Sequence, residues 1–294
     1  SGAAGVGEPV EFLSPATWAD ALAAKAEHPD AVPIAGGTDV MVELNFDRAR
    51  PEAIIDLTRV SELREWAAED GLIRIGAGVS YTRVIAELGD RLPGLAMAAR
   101  TIGSPQIRNR GTVGGNLGAA SPAGDSHPPL VAVRAEVELA SSGGVRRVPV
   151  RQFYTGPKKN VLAGDELIAA ILVAPSSGPE QFAKIGTRNA MVIAACSFAL
   201  AIDPVRRRVG TGIGSAGPTP LAATEAEAFL ERMLGESDAW ELGTPLDEPA
   251  LERFGQLVAQ AARPIDDVRS TAAYRREALR VLARRTLGWA WGGT

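Results

Sequence analysis

Two double-glycine segments, set about eighty residues apart, constrain this chain more than any other feature. The first is Ile34-Ala35-Gly36-Gly37-Thr38-Asp39, flanked by Val40. The second is Thr112-Val113-Gly114-Gly115-Asn116, followed by Ser121-Pro122-Ala123-Gly124-Asp125. Paired glycines let main chain pass close to another surface, and their backbone N–H groups can approach an anion such as a diphosphate. The first segment alone reads equally well as a tight turn, because turn glycines are common. The second adds chemistry. Asn116 carries donors and an acceptor, Thr112 and Ser121 carry hydroxyls, and Asp125 can accept from a sugar hydroxyl. Together the two favour one long nucleotide-type cofactor gripped from two sides over a pair of unrelated turns.

The chain's own side chains are poorly equipped for hard chemistry. Its single cysteine, Cys196, lies in the apolar run over 192–201 and cannot support an iron–sulfur cluster, which needs about four thiolates. His28 and His127 are far apart and show no spaced ligand set, so no metal site is expected. A Cys–His nucleophilic pair stays open beside the reading of a buried cysteine. No G-x-S-x-G elbow is present. If the chain is an enzyme, a bound cofactor would carry the reaction. The formal net charge of −4 and the short basic runs Arg206-Arg207-Arg208 and Arg284-Arg285 give no phosphate-neutralising face. No stretch approaches the ~20 apolar residues of a membrane span. The first seven residues lack the charged-then-apolar order of a signal peptide, so a cytoplasmic location is expected.

Local patterns divide the 294 residues into two parts. Thr17 caps a helix over 18–27, with Trp18, Leu22 and Ala23 on one face. Residues 32–34 read as a short buried strand, 40–44 as a helical turn or strand, and 53–57 and 72–76 as further strands. Ser80 caps a helix to 88, and a second helix covers 95–100. Residues 103–129 show no helical or strand period, and a loop that long in a compact domain is usually functional. A hairpin follows around Ser141-Ser142-Gly143-Gly144, then a strand over 167–173. Pro175-Ser176-Ser177-Gly178-Pro179 is the best linker. Beyond it, strands over 182–186, 194–202 and 207–213 precede helices over 222–234, 246–262 and 271–287, the order of an α+β domain. A nominal G-x-G-x-x-G at Gly212, Gly214 and Gly217 is a poor dinucleotide fingerprint and reads as a strand end and turn. Lys184 is either a surface lysine or a cation near a phosphate or a reduced flavin, and its neighbours do not choose between these.

These motifs resemble the FAD-binding medium subunit of the molybdenum hydroxylases, the family of bacterial xanthine dehydrogenase and aerobic carbon monoxide dehydrogenase. The resemblance runs from about Val10 to Leu287. It rests on both glycine segments, on Ile102-Gly103-Ser104-Pro105-Gln106-Ile107-Arg108-Asn109-Arg110-Gly111, on residues 120–125, and on Pro264-Ile265-Asp266-Asp267-Val268-Arg269-Ser270-Thr271-Ala272-Ala273-Tyr274-Arg275. It implies an α+β chain: a PCMH-type (VAO-like) two-lobed FAD-binding domain over 1–178, then a smaller CO dehydrogenase flavoprotein-like domain over 179–294.

It also implies which residues hold FAD. Ala35, Gly36, Gly37, Thr38 and Asp39 would wrap the diphosphate, flanked by Ile34 and Val40. Thr112, Gly115 and Asn116 would hold it from the other side, with Val113, Gly114 and Ser121 also in the cofactor site and Asp125 near the sugar chain. Ile102, Ile168 and Ile193 would pack near the isoalloxazine, and Lys184 would lie on the floor of that site. The resemblance implies no catalytic side chain. The implied role is electron transfer from the two [2Fe–2S] clusters of a small partner subunit to NAD+ or another acceptor. A large partner with a molybdenum cofactor would hydroxylate a purine or related N-heterocycle, the whole forming a dimer of heterotrimers. One departure leaves the acceptor open. Eukaryotic-type xanthine dehydrogenases place acidic residues where this chain has Met191 and Val192, and carbon monoxide dehydrogenases place a tyrosine in this stretch, whereas 184–195 contains no aromatic residue. The alternatives are a self-sufficient flavin oxidoreductase on the same fold, which would need its own acid or base, and the medium subunit of a carbon monoxide dehydrogenase. Trp289 and Trp291 in the C-terminal tail read either as docking residues or as side chains packed back on the last helix.

Overall fold

Three short strands, β1 (Glu11–Leu13), β2 (Val32–Ile34) and β3 (Ala53–Asp56), make a parallel sheet in the order β1-β3-β2. The computed structural model describes residues 9–36, 51–187 and 192–292; the element expected over 40–44 lies outside them. Helix α1 (Trp18–Glu27) connects β1 to β2 and starts where Thr17 Oγ1 accepts from Asp20 N at 3.1 Å. Its buried residues are Ala21 and Lys25, whereas Ala23 is exposed, contrary to the sequence expectation. Lys25 tolerates burial because its ammonium donates to the carbonyls of Pro29 and Ala31, at 2.6 and 2.8 Å. The strand at 32–34 is an edge strand and half-exposed rather than buried. Pro33 cannot donate to a ladder, and an edge is where a sheet accepts such a residue.

The second lobe contains strands β4 (Trp66–Glu69), β5 (Leu72–Gly76), β6 (Glu136–Ser141), β7 (Gly144–Pro149), a small β8 (Tyr154–Gly156) and β9 (Lys159–Asn160) ribbon, and β10 (Leu167–Val173). Five of them form an antiparallel sheet in the order β4-β5-β10-β6-β7. All seven residues of the central strand β10 are buried, which is why that run is uninterruptedly apolar. Between β5 and β6 lie helices α2 (Tyr81–Leu88), α3 (Pro93–Arg100), α4 (Pro105–Arg110), α5 (Val113–Ala119) and α6 (His127–Ala132); α7 (Val150–Phe153) follows β7. Ser80 caps α2 as its position predicts, its hydroxyl accepting from Arg83 N.

The last three helices of that series correct the reading of 103–129 as a long loop. Each is shorter than two full turns, too short for a 3.6-residue period to register in the sequence. Caps define α4 and α5 instead, through Ser104 with Pro105 behind it and through Thr112. Helix α6 begins with Pro128 and Pro129 in its first turn.

The second domain is a three-stranded antiparallel sheet, β11 (Glu180–Ile185), β12 (Cys196–Asp203) and β13 (Arg208–Gly214), with helices α8 (Thr224–Glu236), α9 (Ala239–Leu242), α10 (Glu248–Ala261) and α11 (Ala272–Trp291). Its core, built around Phe198, Leu230, Phe254 and Leu279, is distinct from the core of the first lobes. Cys196 is buried in it, and burial pushes its thiol up to about 12, so the structural reading of that cysteine holds. Trp291 packs edge-on against Trp240 and donates to the Thr244 carbonyl at 2.9 Å, whereas Trp289 stays 59% exposed.

The glycines of β13 are packing residues. A Cβ on Gly210 or Gly212 would run into the backbone carbonyl of Ala132 or Pro128, both on α6 of the first domain. The reading of Gly212 and Gly214 as a strand end is thus explained by the bare strip of backbone on which a helix of the other domain rests.

A buried carboxylate ties the same two domains together. Glu227 of α8 receives Arg151 Nη2 at 2.6 Å and Arg134 Nη2 at 3.1 Å from the first domain. It also accepts from the Thr211 N–H and hydroxyl, at 2.8 and 2.9 Å. Replacing it with glutamine removes the charge that both guanidiniums use while keeping most of the volume. Glu227→Gln is expected to lower unfolding stability by about 2 kcal/mol, read from urea melts beside wild type; superimposable melts would show that the clamp is neutral.

Candidate functional site

The first glycine segment meets the chain just before the second, at Arg110 and Gly111. β2 delivers Ile34, Ala35 and Gly36, all half-buried, onto the C-terminal end of α4. The backbone of Gly36 lies so close to the Arg110 carbonyl that a Cβ could not be accommodated, and Arg110 Nε donates back to the Gly36 carbonyl at 3.3 Å. Gly37, Thr38, Asp39 and Val40 lie outside the described residues.

The second segment is the first turn of α5. Thr112 Oγ1 accepts from Gly115 N at 2.9 Å, and Gly114 N donates to the Ala77 carbonyl at 3.2 Å. Both glycine N–H groups thus have partners within the chain. The Gly115 N–H can turn to an anion only by giving up its bond to Thr112. The two glycines also do different work. Gly114 is buried, and a Cβ there would stand 2.5 Å from both the Cβ and the carbonyl oxygen of Ala77. Gly115 is exposed, and a Cβ there would meet only its own cap, Thr112 Oγ1. Val113 is fully buried in the core. The outward surface of the turn is therefore Gly115, Asn116 and Gly118, backbone that a ligand can reach closely.

Beneath this surface lies a polar network that the sequence reading did not single out. Ser126 Oγ donates to Asn116 Oδ1 at 2.6 Å and accepts from Tyr81 Oη at 3.1 Å. His127, fully buried at the head of α6, has its Nδ1 2.7 Å from Tyr154 Oη. Burial pushes its imidazole down to about 3, so it is neutral. Ser121 caps the turn into this region, its hydroxyl accepting from Ala123 N at 3.4 Å.

Asp125 and Lys184 come from different domains and bind each other, Nζ to Oδ2 at 2.6 Å. Lys184 is not the surface lysine of one sequence reading: its side chain is 11% exposed. Burial pushes the Asp125 carboxyl above the usual carboxylate range, opposed by Lys184 and by the Thr101 hydroxyl at 3.3 Å. Its Oδ1 is buried without a hydrogen-bond partner. Ile102 is half-buried after α3, its carbonyl accepting from Arg108 Nη1 at 3.2 Å. Ile168 lies in β10, 8% exposed, beneath Gly118. Ile193 is 60% exposed on the segment that leads back into β12. A cleft of about 440 Å³ opens at the end of β11, lined by Ile185, Gly186, Thr187, Ala195 and, across from them, Arg269, Ser270, Thr271 and Tyr274. No His/Cys/Asp/Glu cluster among the described residues could hold a metal ion.

Residues 8–176 match a family model described as the FAD binding domain in molybdopterin dehydrogenase, and residues 181–290 match the CO dehydrogenase flavoprotein C-terminal domain. The chain is 32% identical over 282 residues, 92% of each chain, to the putative xanthine dehydrogenase FAD-binding subunit XdhB of Escherichia coli (strain K12). It is 28% identical over 282 residues, again 92% of each, to the nicotinate dehydrogenase FAD-subunit of Eubacterium barkeri. Among solved structures, a chain of carbon monoxide dehydrogenase from Hydrogenophaga pseudoflava superimposes with a TM-score of 0.86 at 28% identity, over 96% of this chain and 97% of that one.

Proposed function

The chain belongs to the family of FAD-binding subunits of the molybdopterin dehydrogenases, and from that premise we propose that it transfers electrons within a molybdenum hydroxylase complex. In this reading it takes them from [2Fe–2S] clusters of a small partner subunit and hands them to NAD+ or another acceptor. A large partner holding the molybdenum cofactor hydroxylates a purine or related N-heterocycle. Support for that substrate class comes from relatives named for xanthine and for nicotinate. Likeness to a carbon monoxide dehydrogenase supports a second reading, the medium subunit of such an enzyme. The complex would be a dimer of heterotrimers in the cytoplasm; no described helix is long and apolar enough to cross a membrane. We place the domain division between 178 and 179, within the linker that precedes β11.

One observation carries the FAD assignment: Gly36 of the first segment packs on Arg110 and Gly111, immediately before the exposed first turn of α5 that holds the second. The residues fit the cofactor. Gly115 offers open backbone beside the Thr112 hydroxyl, and Asn116 is oriented by Ser126. Gly36 and Gly37 would approach the diphosphate from β2, with Ala35, Thr38 and Asp39 around it and Ile34 and Val40 flanking. Ile102 and Ile193 would exclude water from the ring system, Ile168 would back the turn from the core, and Ser121 and Asp125 would face the sugar chain. FAD, when bound, supplies the electron-carrying chemistry that no side chain of the chain offers.

A visible spectrum of the purified full chain after incubation with FAD and desalting tests this. Flavin absorption is expected to persist, and anaerobic NADH is expected to bleach it. Retained flavin that NADH leaves oxidised would remove NAD+ from the proposal, and the absence of bound flavin would remove the assignment itself.

A further inference from the structure

The strand that opens the second domain carries three side chains on one face, and all three meet the first domain. In β11, residues 180, 182 and 184 point the same way because side chains alternate along a strand. Glu180 accepts from Gly94 N, in the first turn of α3, at 2.9 Å. Phe182 packs in a small apolar cluster with Ala98 of α3, Ala132 of α6 and Ala199 of β12. Lys184 donates to the carbonyl of Thr101, just past the end of α3, at 3.0 Å. The two polar ends are commensurate. Four strand steps cover about 13 Å and seven helix steps about 10.5 Å, so the strand follows the helix from end to end.

The rest of that sheet face matches. Lys184 pairs with Ser197 and Ser197 with Gly214; Phe182, Ala199 and Gly212 form the next row, and Glu180, Ala201 and Gly210 the last. Bulk is concentrated on the strand beside α3 and falls to bare glycine where α6 rests.

Lys184 terminates this seam with no proton to spare. An ammonium has three N–H donors. Here they face the Thr101 carbonyl at 3.0 Å, Asp125 Oδ2 at 2.6 Å and the Val192 carbonyl at 3.3 Å. Its charge is met by Asp125, and its third contact holds the start of the segment carrying Ile193. The cleft lined by Ile185, Gly186 and Thr187 begins one residue further on.

We propose that Lys184 is a positioning residue that, together with Asp125 and Glu180, fixes β11 along α3 and so sets how the second domain seats on the first, rather than presenting its charge to the cofactor. Its consequence for FAD rests on the functional reading above; its geometry does not. The test uses the full chain, with and without FAD, and the variants Lys184→Met, Lys184→Arg, Asp125→Asn and the Lys184→Met/Asp125→Asn pair. Hydrogen exchange of the amides over 93–102 and 180–185 should accelerate about tenfold or more in each single variant, and no further in the double variant. Lys184→Arg keeps the charge but cannot reach three acceptors with a planar fork, so it should loosen the seam as well.

The flavin midpoint potential supplies the second readout. Lys184→Met and Asp125→Asn should move it in the same direction or leave it alone, because both loosen one seam. Shifts of opposite sign, following removal of a positive and of a negative charge, would overturn the proposal, as would unchanged exchange in Lys184→Arg and Asp125→Asn. If wild type retains no FAD, the functional reading fails while the exchange measurements still decide the seam. Should Lys184→Met not fold, the other two single variants carry both readouts.

Discussion

Gly115→Val is expected to leave the thermal midpoint of the chain within a few degrees of wild type while weakening FAD binding about a hundredfold or more, and Gly114→Val is expected to do the reverse. The two positions are adjacent in sequence, but their surroundings are opposite. A Cβ at Gly115 reaches only Thr112 Oγ1, at 2.9 Å, and the position is exposed. Glycine within a helix is a poor helix former, so a side chain there costs the fold little. It would, however, stand on the surface where backbone must come close to the ligand, and a branched side chain cannot withdraw. At Gly114 the added atoms would enter Ala77, whose Cβ and carbonyl oxygen both stand at 2.5 Å. Neither can yield without moving β5 or α5, an overpacking cost of about 3 kcal/mol or more. Fluorescence titration with FAD, run beside thermal melts, separates the two effects. Wild-type affinity in Gly115→Val would show that α5 does not face the diphosphate.

That contrast marks where sequence reasoning stops. The double glycine at 114–115 was visible as a pair, but which member packs and which faces outward depends on Ala77, a distant residue placed by the fold. The same holds for Lys184. Its neighbours in sequence left it between surface lysine and cofactor cation, and only the tertiary approach of Asp125 and Thr101 removes the surface option. Where local physics is strong, the chain reads directly. β10 is a continuous apolar run because both its faces are covered, and Thr17 and Ser80 stand at the helix starts they predict. Where elements are short, periodicity fails. α4, α5 and α6 are each under eight residues and announce themselves only through caps and prolines. Ser104-Pro105 and Thr112 carried that signal, and a search for caps rather than for periods would have found two of the three helices. β1 and β4 are too short or too mixed in composition to stand out at all.

The buried polar groups behind the candidate site lead to a second large effect, one that wild type conceals. Burial, opposed by the Gly94 N–H and Ser176, raises the Glu180 carboxyl to about 7, and burial lowers the His127 imidazole to about 3. Their signs are opposite. A carboxyl whose folded value is raised contributes stability that is fully present below its unfolded value near 4.5 and lost as pH rises toward 7. An imidazole whose folded value is depressed contributes stability that is present above 6.5 and lost as pH falls toward 3. Between about pH 4.5 and 6.5 each would change stability by about 1.4 kcal/mol per pH unit, in opposite directions. The two slopes oppose each other in wild type, whose urea midpoint should change less across that window than that of either variant below. Glu180→Gln removes one slope and should expose the other, with stability dropping by about 3 kcal/mol from pH 6.5 to 4.5. His127→Gln should show the mirror image, gaining stability on acidification over the same range. Urea melts of the three proteins at pH 4.5, 5.5 and 6.5 are enough to see this. If Glu180→Gln runs parallel to wild type, the buried carboxyl is not protonated in the folded chain, and its bond to Gly94 N is a charged helix cap instead.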